Sequence, residues 1–222
     1  MPELPEHLRG TPAGGGRVSR QVLESHQRER VIALVTPVFA RRGYQATTVD
    51  DLLAAGKVGV GNFYSLFKGK EDCFLAAFDQ IVARARERIR AARSPAESWA
   101  EEAFFGLREL LSLVVADQLV ARVVLIEAQA ASPEARRRYE ALLDTATGWL
   151  EAGRVGMADP QALPPTFERS AIAGLAYYLQ QCLFGGAVPD LEELLDEVSS
   201  LLLAPLIGTA ELRRLRGAPV GV

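Results

Sequence analysis

Residues 48–70 read TVDDLLAAGKVGVGNFYSLFKGK, and the fold follows from this stretch. Thr48 is a favoured helix N-cap, and Asp51, three residues on, supplies the acid of a capping box. Val49, Leu52 and Leu53 then fall at i, i+3 and i+4 on one apolar face, which stops at Gly56-Lys57 after about two turns. A second short helix begins at Gly59. It turns Phe63, Leu66 and Phe67 inward and leaves Val60, Gly61, Asn62, Tyr64 and Ser65 outside. Two short helices joined by a tight turn predict a helix-turn-helix, whose second helix enters the DNA major groove.

The flanking residues extend this reading. VFARRGYQATTV (Val38–Val49), AGKVGVGNFYSLF (Ala55–Phe67) and KGKEDCF (Lys68–Phe74) follow one another along the chain. Over roughly residues 25–78 the chain resembles the DNA-binding domain of the TetR family of transcriptional regulators, with Phe39, Gly43, Tyr44, Thr47, Thr48, Val58, Phe63, Tyr64, Phe67 and Lys70 at the family spacing without a gap. It departs at Lys57, where the family turn has Gly, at Gly59, where it has a Ser cap, and at Gly69, where it has Ser or Asp. The candidate DNA-binding residues are Thr47, Thr48, Val60, Gly61, Asn62, Tyr64 and Lys70. Thr48, Tyr64 and Lys70 are expected on phosphates, and Val60, Gly61 and Asn62 on base edges.

The formal net charge of the 222-residue chain is -3, which by itself argues against a nucleic-acid partner. Its distribution argues otherwise: residues 1–72 hold ten Lys/Arg against eight Asp/Glu, and residues 73–222 hold fifteen against twenty. Only the front of the chain suits phosphates, and a two-fold dimer would double that face. Cys73 and Cys182 form no CxxC or Cys/His cluster, so neither a disulfide framework nor a zinc site is expected, which fits a reducing cytoplasm. His7 and His26 are too few for a catalytic or metal constellation. We therefore expect a non-enzymatic protein with no cofactor, no metal site and no membrane segment.

Taken in order, residues 1–20 are rich in Pro and Gly and are expected to form a disordered arm. Residues 21–69 form the DNA-binding domain, 70–216 a larger helical domain, and 217–222 a flexible tail. Helix 1 runs from about Val22 to Arg42, with Pro37 inside it, where a kink is expected. Helix 4 opens at Lys70 and carries Arg84, Arg86, Arg88, Arg90 and Arg93 as a solvated face. Further helices are expected at about 96–115, 118–131, 132–150, 166–184 and 189–207, with 154–165 a loop and 211–216 a basic tail. No strand pattern appears, so the fold class is all-α with nine or ten helices: an N-terminal three-helix unit with the helix-turn-helix, then a helical ligand-binding and dimerisation domain.

Two apolar faces on the helix near 166–184 exceed what one core contact needs. One helix-turn-helix gives too few contacts for specific DNA binding, whereas two, about 34–36 Å apart, read successive major-groove turns. The resemblance likewise implies a homodimer through the last two helices, about 166–185 and 189–207. The middle helices are rich in aromatic residues, and a small-molecule pocket lined by Phe78, Trp99, Phe105, Glu127, Gln129, Trp149 and Tyr178 is expected, for an apolar or aromatic effector. The function expected is that of a ligand-responsive regulator, a repressor released from a palindromic operator by its effector. The alternative is a constitutive DNA-binding regulator of the same fold with no effector.

Overall fold

The computed structural model describes residues 20–217. The arm expected over residues 1–20 lies outside that range except for Arg20, and the tail over 217–222 except for Gly217. The described residues are 81% helical without strands.

The head of the molecule is α1 (Arg20–Arg42), α2 (Val49–Gly56) and α3 (Val60–Leu66). Gly43, at φ 78°, ends α1 in the left-handed region that a side chain resists. The Thr48–Asp51 capping box forms as expected: the Thr48 hydroxyl accepts the Asp51 N–H at 3.2 Å, and the Asp51 carboxylate accepts the Thr48 N–H at 2.9 Å. Lys57, at φ 51°, ends α2 in the same left-handed conformation without the freedom of a glycine. Pro37 stands inside α1, and the preceding Thr36 hydroxyl donates to the Ile32 carbonyl at 2.7 Å.

Helix α4 (Lys70–Arg93) follows, and its missing side-chain cap at Gly69 is offset by Asp72, which accepts the Lys68 N–H at 3.0 Å. It packs along α5 (Trp99–Ala116). The arginines of α4 are not all a solvated face: Arg88 pairs with Glu109 of α5 at 2.7 Å and Arg93 with Glu102.

The helix expected at 118–131 is a composite rod: α6 (Gln118–Arg122), a π-helical turn (Val123–Glu127) and α7 (Ala128–Ala131). Then come α8 (Pro133–Glu151), a 3₁₀ turn (Ala152–Gly156), α9 (Phe167–Gly185), α10 (Leu191–Leu202), α11 (Ala204–Ile207) and α12 (Thr209–Gly217). Counting the rod once, the described residues form eleven helices, where nine or ten were expected. The excess lies at the C-terminal end: residues 211–216 are part of a docked helix, not a basic tail. Leu212 and Leu215, at i and i+3, are buried, Arg214 pairs with Glu101, and Arg216 pairs with Asp196 at 2.6 Å.

Two apolar cores hold these helices. The first joins Val31, Val35, Phe39, Leu52, Phe63 and Phe67 of the head to Phe74, Ala77 and Phe78 of α4, and continues into Val123, Val124 and Ala128 of the rod and Tyr139 of α8. No apolar boundary therefore falls at residues 69–70; the head shares its core with the rest of the chain. The second core packs α5, α9, α10 and α12 through Leu107, Leu111, Leu175, Leu179, Leu194, Leu195, Val198, Leu202 and Leu215. Glu168, in the first turn of α9, is buried and held by Arg154, whose guanidinium reaches it at 2.6 and 3.0 Å and also donates to the carbonyls of Leu163 and Pro164. Burial opposes ionisation of Glu168, but the bonds from Arg154 outweigh it and hold the carboxyl below its ordinary value.

Candidate nucleic-acid interface and effector region

The presented face of α3 is built by what its other face buries. Phe63 and Phe67 are inserted in the first core with their ring centroids 5.3 Å apart, so Val60 and Tyr64 stand outward, 58% and 53% exposed. Gly61, Asn62 and Ser65 share the exposed side. A Cβ placed on Gly61 would touch nothing within 4 Å, so packing does not require glycine there. Its effect is to leave the backbone of α3 bare where a partner would approach. Thr48 is also exposed.

Two of the residues expected on DNA are engaged within the protein. Thr47 is 1% exposed, and its hydroxyl donates inward to the Gly43 carbonyl at 2.7 Å. Lys70 lies half-buried over the Tyr44 ring, 4.3 Å from its centroid, and donates to the carbonyls of Tyr44 and Thr47 at 3.0 and 2.9 Å. Both side chains bond to carbonyls of the turn between α1 and α2. Two residues absent from the expected set, Lys57 and Lys68, are exposed at either end of α3. Their signal in the sequence was simply two cations flanking the recognition helix.

The expected effector residues do not line one cavity. Phe78 is buried in the first core, whereas Trp99, Phe105 and Trp149 pack against the second. Trp99 and Trp149 lie 5.9 Å apart, filling space between α5 and α8 and leaving no room at Gly153, where a Cβ would come within 2.3 Å of Trp99. Glu127 accepts the backbone N–H of Tyr44 at 2.7 Å, and Gln129 donates to the Leu125 carbonyl at 2.6 Å. Tyr178 donates to Glu197 of α10 at 2.6 Å, and this bond to a carboxylate raises its hydroxyl above the ordinary value. The polar members of the set are thus committed to backbone or to other side chains.

Open space occurs instead along α4. One groove of about 380 Å³ lies between α4 and α8, with Phe78, Val82, Ala83, Ala141 and Leu142 as its apolar floor and Arg86, Arg138, Asp79 and Thr145 as its polar rim. A second, of similar volume, adjoins it against α1 and shares Asp79 and Arg138. These two residues form an ion pair that divides the grooves.

The model of the family described as bacterial regulatory proteins, tetR family, matches residues 36–77, the segment that runs from the second half of α1 through α3 into α4. Over that segment the chain is similar to the TetR family of transcriptional regulators. The uncharacterized HTH-type transcriptional regulator YhgD of Bacillus subtilis (strain 168) is 26% identical over 97 residues, which is 44% of this chain and 51% of YhgD. The chain thus spans about half the length of that relative. Among solved structures, FadR of Bacillus subtilis in complex with stearoyl-CoA superposes with a TM-score of 0.62 at 21% identity, covering 81% of this chain and 98% of FadR. AibR in complex with isovaleryl coenzyme A and operator DNA superposes at 0.64 and 15% identity, covering 79% and 98%. At these identities the two show a shared all-helical fold. Among the described residues no helix is long and apolar enough to cross a membrane.

Proposed function

We propose that this chain is a TetR-family regulator, a cytoplasmic homodimer that represses from a palindromic operator and is released by an acyl-coenzyme A thioester. The observation that carries the reading is the presented face of α3, where Val60, Gly61, Asn62, Tyr64 and Ser65 lie exposed between Lys57 and Lys68. Asn62 hydrogen-bonds a base edge, Val60 meets a thymine methyl, and Thr48 and Tyr64 hold phosphates, with Lys57 and Lys68 taking the place of Thr47 and Lys70. So apolar a face offers few base hydrogen bonds, and DNA shape supplies part of the specificity.

A stripe along α9 supports the dimer. Ser170, Ala173, Gly174, Tyr177, Gln181 and Phe184 recur at helical spacing and are all exposed, Tyr177 and Phe184 by 63% and 61%, and Leu201 of α10 is exposed as well. A stripe of two large aromatic residues with small neighbours and no charge fits a second copy of itself.

The effector class differs from the purely apolar or aromatic molecule expected from the sequence. The two complexes named above hold acyl-CoA ligands, and the groove between α4 and α8 offers an apolar floor for an acyl chain and the guanidinium group of Arg86 for an anionic head. A ligand wedged there separates α4 from α8, and α4 carries the head. A hundredfold loss of operator affinity needs a coupling of about 2.7 kcal/mol. Fluorescence anisotropy with DNA flanking the protein's own gene tests this: stearoyl-CoA or isovaleryl-CoA should weaken binding at least tenfold, and Arg86→Ala should blunt that response. Binding indifferent to both, with no rise in melting temperature, would favour the constitutive alternative. The filled Trp99–Trp149 region is the observation on that side.

A further inference from the structure

The turn between α1 and α2 is held from two sides. From below, Lys70 takes the Tyr44 and Thr47 carbonyls. From above, the rod takes the turn's N–H side: Glu127 accepts the Tyr44 N–H at 2.7 Å although the two residues are 83 apart in sequence. The Glu127 carboxylate lies so close over the turn that a Cβ on Gly43 would come within 3.2 Å of its Oε2. The neighbouring Gln45 side chain donates to the Ala130 carbonyl at 2.8 Å. Tyr44 is buried and packs edge-on against Phe74 at 5.1 Å. Beyond the turn comes Thr48, which starts α2, and α2 leads to α3.

Glu127 is the last residue of the π-helical turn. A π turn places one extra residue in the helix, so everything beyond it is rotated by about 100° from its α-helical position. The Leu125 carbonyl within the turn receives the Gln129 side chain at 2.6 Å. At the other end of the rod, Arg122 donates to the Leu183 carbonyl near the end of α9 at 2.8 Å and lies over the Phe184 ring, 5.7 Å from its centroid. The rod therefore spans from the exposed stripe of α9 to the entrance of the helix-turn-helix.

We infer that Glu127 is a positioning residue for DNA binding: its carboxylate, aimed by the π turn, sets where α2 and α3 stand relative to the body. It touches no DNA and acts through the Tyr44 N–H. The inference rests on the DNA-binding reading and not on the identity of any effector.

The test compares Glu127→Ala, which has no acceptor, with Glu127→Gln, which keeps a carbonyl oxygen at nearly the same place. Three measurements are needed on the full-length protein: operator affinity on DNA flanking its own gene, hydrogen exchange at the Tyr44 amide, and the melting temperature. Glu127→Ala should bind DNA about tenfold or more weakly, the factor associated with losing a hydrogen bond to a charged group. Its Tyr44 amide should exchange at least tenfold faster, while the Phe63 and Phe67 amides inside the helix-turn-helix stay protected. Glu127→Gln should recover most of both losses. Wild-type affinity in Glu127→Ala overturns the inference, and so does a loss in both variants alike. A general loss of amide protection with a lower melting temperature also overturns it, since Glu127 would then serve only stability. Failure of the wild type to bind any of the flanking DNA counts against the regulator reading instead, and the Tyr44 exchange rates still decide whether the latch exists.

Discussion

The exposed faces of α3 and α9 both carry large apolar side chains, yet they are made differently. On α3, Val60 and Tyr64 are interleaved with Gly61, Asn62 and Ser65 and flanked by Lys57 and Lys68. On α9, Tyr177 and Phe184 are interleaved with Ala173 and Gly174, α9 places no charged residue between them, and the cation at its end, Arg122, lies over the Phe184 ring and is bonded to the Leu183 carbonyl. Exposed apolar area alone does not name a partner; its surroundings do. Hydrogen-bonding groups and cations around an apolar residue suit a polyanion whose base edges and methyl groups must be read. Small uncharged neighbours suit a like surface, because they let two helices approach and leave no charge to desolvate.

The largest expected effect follows from exchanging these characters. Tyr177→Glu with Phe184→Glu should convert the dimer to monomer at micromolar concentration by light scattering and lower operator affinity more than a hundredfold, since one module keeps only half the contacts. A double variant that remains dimeric would remove α9 from the interface. On α3 the effects should be smaller and should divide by type. Asn62→Ala should cost about 1–3 kcal/mol at one base position and relax preference there, whereas Tyr64→Phe should weaken binding to all sequences alike by severalfold. Equal, sequence-independent losses from both would erase the distinction between reading and anchoring, and neither variant should alter the dimer.

The smallest effect concerns stability in the head. Thr48→Ala should lower it by about 1 kcal/mol through loss of the cap, seen as a modest fall in melting temperature with α9 unaffected. The box has its own pH dependence. The Thr48 backbone N–H, then the Thr48 hydroxyl, hold Asp51 below its ordinary value of 3.8. A carboxyl lowered in the folded state contributes stability that is fully present above that ordinary value and is lost as pH falls through the lowered one. Glu168, also held low, follows the same sign in the body. Acid melting of wild type against Asp51→Asn should therefore converge at low pH and separate above about pH 5.

Much of the head was legible before any coordinates because its features are local. The Thr48–Asp51 box and the outward set on α3 each depend on residues within four positions, where helical geometry dictates who meets whom. The partners of Thr47 and Lys70 were not legible for the opposite reason: their spacing places them near the recognition helix, but both bond to carbonyls of the turn around the buried Tyr44. The expected effector residues are scattered: Phe78 lines the groove beside α4, while the others lie elsewhere. Trp99, Glu127 and Tyr178 share a composition that suits a pocket, yet whether an aromatic side chain lines a void or fills one is decided by the opposing helix.

The sequence by itself determined that the chain is all-helical, that α2 and α3 form a helix-turn-helix, and which side of α3 faces out, because apolar periodicity and capping act over one or two turns. Only the tertiary structure decided that the head shares its core with the rod, that residues 211–216 dock as a helix, and that Glu127 holds Tyr44. Those outcomes depend on which distant side chain arrives within hydrogen-bonding or van der Waals reach, and no spacing along the chain encodes that meeting.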